Sequence, residues 1–161
     1  MTQSYFKMQR VEISWPQNPM RFSASNGGFS GFVIASFSDK DLVEMGRRLR
    51  AFTGSPGDLF IFKDGGPEWL EPEESYYLYL KIAASDSTGH FHIEFDARRH
   101  DSYPHYLGHQ CRLSLDADTA AINRLGQLLE TFADETYVEL HWVPEGGRLF
   151  TNDQLQAGDS P

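Results

Sequence analysis

Residues 38–52 read SDKDLVEMGRRLRAF, and residues 118–132 read DTAAINRLGQLLETF. In both stretches apolar side chains recur every three or four positions, which is the spacing of one face of an α-helix. Ser38 and Asp118 belong to the residue types that cap helix N-termini, and a glycine and a proline soon follow the first stretch. We therefore predict two amphipathic helices, at residues 39–52 and 119–133.

The two predicted helices match each other after a shift of 80 residues, which places Phe52 on Phe132 and Gly46 on Gly126. A glycine inside a helix costs about 1 kcal/mol relative to alanine. Two glycines at matching positions therefore indicate that each helix backbone closely approaches the sheet. Because an apolar strand precedes and follows each helix, we expect two similar β-α-β halves.

Much of the remaining chain alternates between apolar and polar residues, with the period of two that is typical of β-strands. Alternation of this kind indicates antiparallel sheet with one covered and one wetter face. We predict an α+β fold, an antiparallel sheet of about eight strands with two helices packed on one face. The strands include residues 11–15, 76–85, 90–97 and 137–142.

The length of 161 residues suits one domain. We predict that residues 1–143 form a single α+β domain. Residues 144–161 are polar and show no periodicity, so we predict a polar C-terminal tail.

Charge and hydropathy limit the classes of partner. The chain has 14 Lys and Arg against 23 Asp and Glu, a net charge of −9. Such a field repels phosphate backbones and anionic membranes and favours basic partners. No apolar run is long enough to cross a bilayer, and residues 1–10 lack the apolar stretch of a signal peptide. We expect a cytoplasmic protein that binds neither nucleic acid nor membrane.

Motifs for catalysis or metal binding are weak. Cys111 is the only cysteine, which excludes an intrachain disulfide and a zinc site of paired cysteines. His90 and His92 share a strand face and could bind zinc with Glu94 or His141. None of the familiar zinc, phosphate-binding or nucleophile motifs is present, however. We therefore predict no metal, no cofactor and no catalytic residue.

Residues 64–75 carry five acidic residues around a tryptophan. A large aromatic side chain among acids can anchor a basic protein partner. The alternative is a solvated loop whose tryptophan packs on the core. The candidate binding residues are Asp64, Glu68, Trp69, Glu71, Glu73 and Glu74.

The polar face of the predicted sheet is the second candidate surface, because tyrosine and arginine are enriched in interface cores. The alternatives left open are an ordinary solvated face, an enzyme or metal site centred on a His/Glu cluster (His92, Glu94 and His141), and an oligomerising domain, such as a homodimer, that pairs edge strands. The candidate residues of the polar face are Tyr77, Tyr79, His92, Glu94, Arg112, Glu139 and His141.

Three short motifs occur in a suggestive order: GGFSG at 27–31 before the first helix, GHFHI at 89–93 after a turn, and CRLSL at 111–115 before the second helix. In this order the chain resembles the WapI-type immunity proteins, small bacterial proteins that neutralise toxins of competing cells, over residues 22–142. The resemblance implies a cytoplasmic, non-catalytic protein that binds a toxin domain. Many toxin domains are basic nucleases, and complementary charge speeds encounter with an acidic protein.

Overall fold

The computed structural model describes residues 3–13, 17–66, 76–100 and 108–158. Three helices and nine strands lie in these ranges. In chain order they are β1 (Ser4–Arg10), β2 (Pro19–Asn26), β3 (Ser30–Ser36), α1 (Asp39–Arg50), β4 (Leu59–Gly65), β5 (Tyr76–Ala84), β6 (His90–His100), β7 (Gly108–Asp118), α2 (Thr119–Phe132), β8 (Tyr137–Val143), β9 (Gly146–Thr151) and α3 (Asn152–Gln156).

The strands form two sheets in which all neighbours are antiparallel. The five-stranded sheet has the order β3-β2-β1-β8-β9, and the four-stranded sheet has the order β4-β5-β6-β7. The predicted α+β class and antiparallel pairing are confirmed. The difference is that the described strands number nine and divide between two sheets, so that each sheet can bury its inner face against the other and the helices.

The predicted similarity of the two halves covers more of the chain than expected. Each half consists of three antiparallel strands, a helix and a fourth strand: β1-β2-β3-α1-β4, then β5-β6-β7-α2-β8. The fourth strands are exchanged, because β4 pairs with β5 and β8 pairs with β1. The two halves are therefore linked by hydrogen bonds in both sheets.

The matched glycines lie where α1 crosses α2. A Cβ atom at Gly46 would lie 2.5 Å from the carbonyl oxygen of Gly126, and a Cβ at Gly126 would lie 2.6 Å from that of Gly46. The expectation that these glycines approach the sheet is wrong, because the close partner of each is the other helix. Arg50 forms an ion pair with Glu130, again 80 residues away, so matching positions meet across the crossing.

Aromatic side chains join the two sheets. The ring of Phe22 in β2 lies 5.5 Å from that of Phe95 in β6, and Phe37 lies 5.0 Å from Phe62 in β4. Trp142 in β8 is fully buried, and its indole Nε1 donates to the carbonyl of Ala121 in α2 at 3.0 Å. These contacts place the hydrophobic core between the sheets and under the helices.

Two boundaries differ from the sequence prediction. The N-terminal strand is Ser4–Arg10, because Phe6 and Met8 supply the buried positions, and residues 11–13 follow it. The predicted polar tail contributes β9 and α3 to the domain, since β9 pairs with β8 and buries Phe150. A polar segment can complete a sheet because edge pairing depends mainly on backbone hydrogen bonds.

Within the part of the chain that the structure describes, none of the helices has the length and apolar character needed to cross a membrane.

Substituting the crossing glycine tests this architecture. Gly46→Ala should lower the free energy of unfolding by about 1–3 kcal/mol, because its Cβ would force the helices apart even though alanine favours the helix by about 1 kcal/mol. Urea denaturation measures the change. Gly57→Ala is the matched control, since its nearest neighbour would be the Ser55 hydroxyl at an ordinary 3.7 Å. Equal stability of the two variants would contradict the crossing.

Candidate functional site

The outer face of the four-stranded sheet, called here the open face, carries exposed or half-buried polar and aromatic side chains. Strand register places Tyr79, Asp96 and Arg112 in one row across β5, β6 and β7. A shallow basin of about 540 Å³ lies over the middle of this face. The lining residues with polar side chains are Tyr77, Tyr79, His92, Glu94, Asp96, Arg112 and Ser114.

Asp96 is the centre of the open face and is only 8% exposed. Its carboxylate accepts hydrogen bonds from Arg98 Nη2 at 3.2 Å and Gln110 Nε2 at 3.2 Å, and Arg112 Nε lies 3.6 Å away. A buried carboxylate needs such donors to replace lost water. Asp96 therefore holds the Arg98 guanidinium in place and attracts that of Arg112, which is 72% exposed.

Asp96 is not among the candidate residues predicted from the sequence. The alternation that places His92 and Glu94 on one face places Asp96 there as well, with Arg98 next in the same series. Two basic side chains next to Asp96, Arg98 and Arg112, were the signal that could have identified it. The signal can be recognised only when β6 is known to pair with β7, which brings Arg112 opposite Asp96.

The two tyrosines of the open face are packed against each other and against cations. The rings of Tyr77 and Tyr79 stack at 6.5 Å. The Arg98 guanidinium lies 5.1 Å from the centre of the Tyr77 ring, and the Lys63 ammonium lies 5.6 Å from that of Tyr79. Burial, together with the negative charge of Asp96, raises the pKa of Tyr77.

His92 and Glu94 also lie on the open face, but without the enclosure that acid–base chemistry usually needs. His92 Nδ1 contacts Asp116 Oδ1 at 3.1 Å, and both side chains are exposed. Glu94 is exposed opposite Lys81.

The structure separates Glu139 and His141 from the other candidates of the polar face. Both lie on β8, in the five-stranded sheet, whereas Tyr77, Tyr79, His92, Glu94 and Arg112 share the open face. The proposed centre of His92, Glu94 and His141 is therefore not assembled. Alternation predicts the face of a strand but not which strands share a sheet.

Glu139 and His141 belong instead to a packed polar cluster. Glu139 is 2% exposed; its Oε2 accepts from Gln9 Nε2 at 3.1 Å, and its Oε1 lies 3.3 Å from Lys7 Nζ. His141 packs on Tyr5 with ring centres 5.7 Å apart. Burial, and next the positive charge of Lys7, lower the pKa of His141.

Asp64 lies in β4 and is half-buried. Its carboxylate accepts from the Ser36 amide at 2.8 Å and from the Tyr76 hydroxyl at 2.8 Å, which ties the end of β3 to the four-stranded sheet. Burial and this carboxylate raise the pKa of Tyr76 far above its usual value.

The other candidates of the acidic segment lie outside the described residues. Described residues on either side fix where this segment joins the sheet, since the Gly66 amide donates to the Tyr76 carbonyl at 3.1 Å. In the sequence, four acidic residues lie between Gly66 and Tyr76. The candidates in question are Glu68, Trp69, Glu71, Glu73 and Glu74.

The metal alternative was based on His90 and His92. The structure gives His90 a local role, since its Nδ1 lies 2.8 Å from Asp86 Oδ2 in the turn before β6. Over residues 3–13, 17–66, 76–100 and 108–158, no group of three or more His, Cys, Asp or Glu is placed to hold a metal ion.

No known protein family, characterised protein or solved structure matches the chain. The function is therefore inferred from the geometry of the open face.

The pKa of His141 predicts a pH dependence of stability. Because this pKa is lowered in the folded state, the unfolded state binds the proton first as the pH falls below about 6.5. Stability contributed by neutral His141 is therefore present above that pH and lost as the pH falls through the folded pKa. His141→Gln should flatten this part of the profile by less than about 1 kcal/mol, since the ring is partly exposed.

Urea unfolding between about pH 7 and pH 5 measures the profile, in the range where histidine titrates. Arg148→Gln, which changes the residue opposite His141 on β9, should keep the wild-type slope. Identical slopes in all three proteins would show that His141 does not contribute.

Proposed function

We propose that the chain is a non-catalytic, cytoplasmic protein-binding module that neutralises a basic toxin domain by docking it on the open face. The observation that carries the proposal is the ordered cluster of Tyr77, Tyr79, Arg98 and Arg112 around Asp96. The toxin as partner comes from the resemblance to WapI-type immunity proteins.

The cluster has the properties of a binding hot spot. Tyrosine and arginine dominate such sites because they bury large amphipathic surfaces. Tyr77 stacks on Tyr79, and Arg98 donates a hydrogen bond to Asp96, so these side chains are already ordered in the free protein. A partner therefore binds with a smaller loss of side-chain entropy than it would on mobile surface residues.

The net charge of the chain and the charges on the open face act at different steps of binding. On the open face Lys63, Lys81, Arg98 and Arg112 nearly balance Glu94, Asp96 and Asp116. The attraction for a basic partner must therefore come from the whole chain, whose net charge is −9, and from the four acids between Gly66 and Tyr76. Long-range attraction raises the association rate, whereas close contacts set the dissociation rate.

The shape of the site favours binding over catalysis. Sites that bind and transform small molecules are mostly enclosed clefts that exclude water. The basin over Asp96 lies on the surface of a sheet, and its histidine contacts an exposed carboxylate. Such a surface suits a convex partner of protein size.

The experiment begins with the gene directly upstream of the one encoding this chain, which should encode a toxin domain. Co-expression of the two should restore growth that the toxin alone abolishes. In calorimetry with the purified toxin domain, Tyr79→Ala and Arg112→Ala should each weaken binding by about 2 kcal/mol, roughly thirtyfold.

Arg47→Ala is the matched control, because Arg47 on α1 is 64% exposed and Arg112 is 72% exposed. It should leave the affinity unchanged. Raising the salt from about 50 to about 300 mM should slow association more than it speeds dissociation. Absence of growth rescue, or equal losses in all three variants, would sink the proposal.

A further inference from the structure

Strand β4 ends the four-stranded sheet, and within the described chain its outer edge has no strand beside it. Edge strands expose backbone donors and acceptors, and they are templates for pairing with another strand.

Comparison of the two halves shows that, within the described chain, the outer edge of β4 lacks the neighbouring strand that its counterpart has. The counterpart of β4 in the other half is β8, which lies between β1 and β9. Strand β4 has β5 where β8 has β1, but nothing among the described residues takes the place of β9. In one half, therefore, an antiparallel strand covers the edge, and in the other the same position is open.

The register identifies the unpaired backbone groups. Gly66 donates to Tyr76, directly opposite it, so Gly66 belongs to a hydrogen-bonded pair of the β4–β5 ladder. Such pairs alternate along antiparallel strands, which directs the backbone of Phe60, Phe62 and Asp64 toward β5. The N–H and C=O groups of Leu59, Ile61 and Lys63 consequently point to the outer edge.

The side chains of this edge are poorly protected. Leu59 is 49% exposed and Ile61 is 39% exposed, two of the five large apolar residues exposed in the described chain. Proteins usually blunt such edges with proline, several charges or a bulge. Strand β4 has no proline, and Lys63 is its only basic residue.

We propose that a second copy of the chain pairs its own β4 with this edge, antiparallel about a twofold axis, to form a continuous eight-stranded sheet. With Ile61 opposite the partner's Ile61, Lys63 lies opposite the partner's Leu59 and Phe60 opposite the partner's Phe62. This register pairs apolar side chains and keeps the two lysines apart, whereas a register centred on Lys63 would oppose them directly. The dimer leaves both open faces accessible on the same side.

The dimer is independent of the proposed function and responds to salt in the opposite direction. Each copy carries a charge of −9, so the two copies repel each other. Raised salt screens this repulsion and should strengthen the dimer, whereas it should weaken attraction of a basic toxin. One proposal can therefore fail while the other stands.

Sedimentation equilibrium of the full chain should show a dimer at about 200 μM that dissociates at low micromolar concentration, as a small interface implies. Ile61→Lys should make the protein monomeric at every concentration. Val43→Lys is the matched control, since Val43 is 46% exposed and belongs to α1 rather than to the β4 edge, and it should remain dimeric. Circular dichroism confirms that both variants are folded.

Cross-linking tests the register. In a Cys111→Ala background, Ile61→Cys should oxidise to a covalent dimer, and Val43→Cys should not. A monomeric wild-type protein at about 200 μM, or equal behaviour of the two lysine variants, would overturn the proposal. An Ile61 amide that exchanges slowly in a monomer would overturn it too, because another part of the chain would then cover the edge. Protection that appears only with added toxin would assign the edge to that partner instead.

Discussion

The contact between Gly46 and Gly126 constrains the rest of the molecule. Only glycine lets the two helix backbones meet at this distance. Each helix leads into a strand that pairs with the other half, α1 into β4 and α2 into β8. The distance between the helices therefore constrains where β4 and β8 begin. Because one of these strands lies in each sheet, the helix crossing constrains both sheets.

The two halves differ in the side chains that cap the C-terminal ends of their helices. Asn123 of α2 donates to the Leu49 and Phe52 carbonyls at the end of α1, whereas the matching position on α1 is Val43. At the end of α2, the Arg10 side chain takes this capping role by donating to the carbonyls of Phe132 and Tyr137. The same structural need is met by different residues, so the similarity of the halves lies in their geometry more than in their side chains.

Local patterns in the sequence predict the helices and strands but not which strands share a sheet. The helix spacing located α1 and α2 to within two residues, and alternation predicted the buried apolar positions of β5 and β6. In β8 the register shifts between Tyr137 and Glu139, so the predicted outer residue Glu139 is buried. Alternation could not show that β8 belongs to a different sheet from β6, which is why His141 was grouped with His92. Nor could it show the burial of Asp96, which depends on donors from two strands.

Two similar halves would be expected to present two similar outer faces, yet the described structure treats them differently. On the five-stranded sheet, β9 and α3 extend the chain beyond the duplication, and residues of α3 line a cleft with Glu139, which is buried. On the four-stranded sheet, the carboxylate at the centre, Asp96, instead orders arginines that remain at the surface. A buried carboxylate thus takes part in internal packing in the five-stranded sheet and contacts arginines at the surface in the four-stranded sheet. This asymmetry supports the proposal that a partner docks on the four-stranded sheet, because there, among the described residues, the arginines beside the buried carboxylate remain at the surface.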